Sequence, residues 1–198
     1  MSETRIGRVL VASLHQAIAD LLPTRLEFYE NWLNVAGLRE GTIGLAPLYA
    51  VLSFLRQEGE AYQLITTRAG EYAAEWTVES MSPVQRAFIK AAPAWLRGRL
   101  LLRLSRELVR STYRGSRASS RLERGTARVD VRGSIFCTVR EPVPHALCGF
   151  YAAAFTRLMT IFNIGAQTEV VACRATGESS CVLQVALLNS QPAPSEAS

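Results

Sequence analysis

Four cysteines, Cys137, Cys148, Cys173 and Cys181, lie in the last third of a 198-residue chain, separated by ten, 24 and seven residues. In a reducing compartment, thiols gathered in one stretch suggest metal binding or burial before disulfides. Cys148 opens a helix, and Cys173 and Cys181 flank a short turn, Ala175 to Glu178, on adjacent strands. Thiolates at a helix start and on a hairpin suit three corners of a tetrahedral zinc at about 2.3 Å, with Glu169, Glu178 or a water as the fourth ligand. The chain has no Cys-x2-Cys pair, so the spacing is not that of a zinc ribbon. The alternative is that the four are small buried hydrophobes, as free cysteines often are.

A second constellation is cationic. Arg99, Arg103, Arg106 and Arg110 recur at helical spacing, with Arg114 and Arg117 continuing beyond, and Leu100, Leu101, Leu104 and Leu108 run opposite them. Such a stripe is either a solvated face pairing with Glu107 or an anion site, since guanidinium groups grip carboxylates and phosphates bidentately. The second reading places Arg103 and Arg106 at a bound ligand. Of the two histidines, His15 falls in a helix and His145 in a Pro-rich loop, where it is a loop residue or an alternative metal ligand. No Ser-His-Asp or Cys-His triad can be assembled from them. There is no glycine-rich dinucleotide fingerprint and no phosphate-binding loop. Phe150, Tyr151, Phe155, Met159 and Phe162 share one helical face, which means core or the wall of a ligand pocket.

The elements that must position these residues are helices first, then strands. Apolar spacing predicts helices over 5–22, 26–38, 46–57, 62–78, 84–92 and 94–113, with Ser82 as an N-cap and Pro83 at the first helical position. A turn is expected at Gly41–Gly44. Alternation then predicts a hairpin, 118–123 and 127–131, turning at Arg124-Gly125, and a further strand, or a continuation of the second, over Gly133–Arg140. A helix over 146–162 and strands over 166–174 and 181–188 complete the series, ahead of a polar, frayed tail at 189–198. Segregated elements of this kind imply an α+β fold, with N-terminal helices packed on an antiparallel sheet and a β-β-α-β-β C-terminal unit.

Composition excludes several classes. The charge of +5 rests on arginine, Lys90 being the only lysine, and nearly half the residues are hydrophobic. No apolar run reaches the roughly 18–20 residues that span a bilayer, and the N-terminus lacks a signal-peptide build. A cytoplasmic protein is expected. No nucleic-acid-binding signature accompanies the arginines, so no nucleic-acid partner is expected.

Arg140-Glu-Pro-Val-Pro-His-Ala-Leu-Cys148 with the helix that follows, and Glu169-Val-Val-Ala-Cys173-Arg-Ala-Thr-Gly177-Glu-Ser-Ser-Cys181, resemble the 4-vinyl-reductase domain. That domain is known from the bacteriochlorophyll 4-vinyl-reductase protein, hydrocarbon-binding-like proteins and the sensor domains of phenol-responsive regulators, and it is similar in fold to TRAPP vesicle-tethering subunits. Residues 86–102 extend the resemblance, whereas 1–80 match it loosely. The resemblance implies a TRAPP-like fold, with a helical region at 1–80 and a 4-vinyl-reductase-like unit at 81–188 in one compact domain. It also implies zinc held by Cys148, Cys173, Cys181 and Glu169, although Glu169 stands four residues before Cys173 where the family's acid stands three. A sensor or carrier of an apolar or tetrapyrrole-like small molecule follows, with Phe150, Tyr151, Phe155 and Met159 at the ligand. The alternatives are an enzyme or accessory factor in (bacterio)chlorophyll 4-vinyl reduction, for which no reductant motif is visible, and a TRAPP-like homodimeric scaffold.

Overall fold

Leu10, Val11, Leu14, Ala17 and Ile18 fall on one face of Arg8–Leu21 (α1), and burying that face is what holds the helix in the fold. The computed structural model describes residues 6–33, 44–123 and 125–187. Helices α2 (Leu26–Leu33), α3 (Leu45–Gln57), α4 (Glu60–Glu79), α5 (Pro83–Ala91) and α6 (Ala94–Thr112) follow. Strands β1 (Arg117–Glu123) and β2 (Thr126–Arg132), helix α7 (Gly149–Ile161), and strands β3 (Ala166–Ala172) and β4 (Cys181–Leu187) complete the described elements. The expected extension of α2 to residue 38, most of the Gly41–Gly44 turn, Arg124 in the hairpin turn, and the tail lie outside the described residues.

The four strands form one antiparallel sheet in the order β1-β2-β4-β3. The α+β expectation therefore holds, with the helices on a single face. Helices α6 and α7 lie on the sheet, α4 packs on α7, and α1 packs on α4. One continuous hydrophobic cluster runs from Leu10 and Ile18 through Tyr62 and Phe155 to Val129 and Val185 on the sheet.

Two local devices set this geometry. Ser82 and Gln85 form a reciprocal capping box, with Pro83 at the first helical position, so α5 begins where the sequence places it. Helices α4 and α7 approach so closely at Gly70 that a Cβ there would lie 2.2 Å from the Phe150 carbonyl oxygen. Only glycine allows this contact.

Neither a further strand nor a continuation of β2 forms over 133–140. Residues 133–140 alternate like a strand, but Gly133 takes φ +65° and ends β2, and Ile135–Cys137 then form a 3-10 turn. No helix among the described residues is long and apolar enough to cross a membrane.

Candidate metal centre

Each cysteine sits at the end of an element. Cys137 closes the 3-10 turn after β2, Cys148 is the N-cap of α7, Cys173 caps the turn after β3, and Cys181 is the first residue of β4. The β3–β4 connection is a 3-10 turn, Arg174–Thr176, closed by Gly177 in the left-handed region at φ +96°. Hydrogen bonds from the amides of Thr176 and Glu178 to the Cys173 carbonyl hold this knuckle. The Val143 amide donates to the Ala175 carbonyl at 2.8 Å and ties the Pro-rich loop to it.

The result is a buried thiol quartet. Cys137 Sγ lies 3.0 Å from Cys148 Sγ, 3.4 Å from Cys173 Sγ and 3.4 Å from Cys181 Sγ, and Cys148 and Cys173 are 3.7 Å apart. All four sulfurs lie within 4.8 Å of one another, and all four are free cysteines. A tetrahedron with metal–sulfur bonds of about 2.3 Å has edges of about 3.8 Å, so the observed spacing needs only a slight expansion to hold zinc. The donors are soft sulfurs without histidine or carboxylate, which matches closed structural zinc sites.

The surroundings suit concentrated negative charge. The Leu147 amide donates to Cys173 Sγ and the Arg174 amide to Cys181 Sγ, each at 3.4 Å. Cys148 also stands at the positive end of a 13-residue helix. Hydrogen bonding from Cys137, Cys148, Cys181 and the Leu147 amide pulls the Cys173 thiol below its ordinary value. Hydrogen bonding among the same sulfurs, together with burial, pushes Cys148 up. Four adjacent buried thiols cannot all ionise unaided, and a bound dication removes that conflict.

A further ring of contacts fixes the ligand-bearing segments. Tyr62 donates from its hydroxyl to the Leu147 carbonyl at 3.2 Å, and Gln63 donates to the Ala146 carbonyl at 3.1 Å. Arg56 donates to the Phe136 carbonyl at 3.4 Å. Burial pushes the Tyr62 phenol well up, so it remains a donor. The N-terminal helices thus hold the loops that carry Cys137 and Cys148.

The structure brings Cys148, Cys173 and Cys181 together, but the fourth member is Cys137 rather than Glu169. Glu169 is exposed in the middle of β3, where Gln167 donates to it at 3.2 Å. Four residue steps separate it from Cys173, about 13 Å along the chain. Glu178 is exposed on the turn and belongs to no such group. The 3-10 turn that replaces the expected strand carries Cys137 into the cluster, and the glycine at 133 was the available sign of that break. His145 is exposed on its loop, and His15 pairs with Glu30 at 2.7 Å.

The expected ligand residues are placed differently. Phe150, Tyr151, Phe155 and Met159 are fully buried. Phe150 stacks on Phe136 at 4.8 Å between ring centroids, and the Tyr151 hydroxyl lies 3.3 Å from that of Thr112. These side chains fill the core between α7 and its neighbours. Arg103 is exposed and pairs with Glu107 at 3.6 Å, while the Nε of Arg106 is buried without a hydrogen-bond partner among the described residues.

No family profile matches the chain, and no curated protein sequence matches it. Solved structures do. A triple mutant of an H-NOX protein from S. oneidensis, in the Fe(II) ligation state, superposes with a TM-score of 0.54 at 11% identity, covering 94% of this chain and 98% of that one. An H-NOX protein from S. oneidensis in the Fe(II)NO state gives 0.51 at 11% identity, covering 93% and 100%. At that identity the likeness is one of fold, and this chain has the helices-on-sheet architecture of the H-NOX proteins.

Proposed function

We propose that this chain is a small-molecule-binding domain, a sensor or carrier, whose C-terminal unit is clamped by one zinc ion on Cys137, Cys148, Cys173 and Cys181. The quartet of buried sulfurs, drawn from four separate elements, carries the metal half of this reading. Its role is structural, because four protein donors leave no open position for a reacting water. The binding half is supported by the H-NOX-like fold and by the resemblance of the Cys148–Cys181 region to the 4-vinyl-reductase domain, and membership in that family is part of the same proposal. A largely apolar ligand fits better than an iron tetrapyrrole. An axial iron donor is commonly histidine, and here one histidine is exposed and the other engaged by Glu30.

A second reading, a TRAPP-like homodimeric scaffold, is favoured by the exposure of Val84, Phe88 and Trp95 at 78%, 60% and 65%. Elemental analysis with native mass spectrometry of the purified chain tests the metal and the assembly together. One zinc per chain, lost on Cys173→Ser, is expected. A metal-free protein whose Cys173→Ser variant melts like the wild type would sink the metal clamp. Reduction of a divinyl substrate with an added reductant would favour the vinyl-reduction role instead.

A further inference from the structure

A mostly apolar cavity lies away from the aromatic core of α7. It has a volume of about 360 Å³ and is bounded by Ala94, Trp95, Gly98 and Arg99 at the start of α6, by Leu122 and Gly125 at the hairpin, and by Asn163, Ile164 and Leu187. That volume falls within the range of small-molecule sites. The wall is mostly apolar, and the large side chains Trp95 and Leu122 are 65% and 37% exposed. A larger cleft, about 730 Å³, lies beside Thr138 and Arg140 and carries a larger polar share in its lining, with Ser53 and Arg56 in its wall.

Two cations border the smaller cavity, and neither meets a carboxylate among the described residues. Arg97 is held by carbonyls alone, donating to Ala92 O at 2.9 Å and 3.2 Å and to Phe162 O at 3.4 Å. The Arg99 guanidinium lies 5.8 Å from the centroid of the Trp95 ring, one helical turn back. No acidic residue lines the site among the described residues. Uncompensated positive charge beside an apolar wall selects a molecule of the opposite sign and the same amphipathic build.

We infer that this cavity binds an organic anion with an apolar, aromatic-sized body lying on Trp95, Leu122, Ile164 and Leu187 and an acidic group held by Arg99. The inference rests on the small-molecule reading above and gives it a place and a ligand charge. Gly98 forms part of the floor, and among the described residues a Cβ there would meet only Leu187 Cδ1, at 3.7 Å, so longer side chains would grow into the cavity.

The test uses two dyes of one shape, 1-anilinonaphthalene-8-sulfonate and its uncharged parent N-phenyl-1-naphthylamine, titrated into the full chain by fluorescence. Saturable binding of the sulfonate, about tenfold tighter than the parent, is expected. Gly98→Leu should abolish both, and Arg99→Gln should bring the sulfonate down to the affinity of the parent. Leu122→Asp, at a position 37% exposed on β1, should weaken the sulfonate by about tenfold while affecting the parent less. Equal affinities for the two dyes overturn the inference, as does saturable binding indifferent to these substitutions, which leaves the small-molecule reading standing with its site elsewhere. No saturable binding in a zinc-loaded chain removes both the site and the small-molecule reading while keeping the metal clamp. A dimer that the same substitutions dissociate overturns it in favour of a contact between copies.

Discussion

Replacing Cys137 by serine separates the four-thiolate site from the three-thiolate, one-carboxylate site that the sequence suggests. Cys137 Sγ touches all three other sulfurs, at 3.0 Å, 3.4 Å and 3.4 Å, so its loss opens the tetrahedron at the corner with the most contacts. A structural zinc contributes roughly 10–16 kcal/mol in small peptides, or about 3 kcal/mol for each of four ligands. That corresponds to about two decades of affinity. It also corresponds to a fall of roughly 6–12 °C in the melting temperature for a chain of this length. Competition with a chromophoric chelator reads the affinity. Cobalt(II) substitution reads the donor set, and the thiolate charge-transfer band should lose about a quarter of its intensity when four sulfurs become three. Glu169→Gln should change neither quantity, because that carboxylate is exposed on β3. A Cys137→Ser protein with wild-type affinity and band intensity, beside a weakened Glu169→Gln, would refute the assignment.

Two further substitutions test the packing and the surface. Gly70→Ala sets a methyl group 2.2 Å from the Phe150 carbonyl oxygen and must part α4 from α7. The cost should be about 3 kcal/mol in a chemical denaturation curve, and an unchanged midpoint would show that the helices do not meet there. On the outer sheet face, Arg121 stands directly opposite Arg128, and Arg117 opposite Arg132. Arg128→Glu should turn one repulsion into an attraction and raise stability by about 0.5–1 kcal/mol at low salt. The gain should shrink at high salt, and a lower melting temperature in both conditions would contradict the pairing.

Much of this molecule is legible in its sequence because its signals are local. The Ser82-Pro83-Val84-Gln85 start is chemistry between residues three apart, so the capping box can be read directly. The alternation of Ala127, Val129 and Val131 likewise reports a buried sheet face. Three metal-site candidates stand out because each lies where an element begins or ends. Cys137 is hidden among Ile135, Phe136 and Val139, whose alternation imitates a strand. What breaks it is the backbone of Gly133, packed so tightly on the Gly115 carbonyl that a Cβ would lie 2.4 Å from that oxygen. The aromatic face of α7 poses a different problem. Spacing shows that Phe150, Tyr151 and Phe155 point inward, but whether they meet a cavity or solid core depends on the helix approach at Gly70. The anionic-ligand cavity was equally hidden, since it joins the start of α6, a hairpin and the end of β4, elements far apart in the chain.

The cysteine quartet also has a mechanical consequence. Helix α7 and strand β4 both start at it, at Cys148 and Cys181, and both end at the cavity walled by Asn163, Ile164 and Leu187. Thirteen helical residues and seven strand residues have nearly equal reach, about 20 Å and about 23 Å. The two elements therefore run from one hub toward one cavity. A metal held by the four sulfurs would tie the starts of both elements together, so a molecule in the cavity would act on the two ends that the hub does not hold.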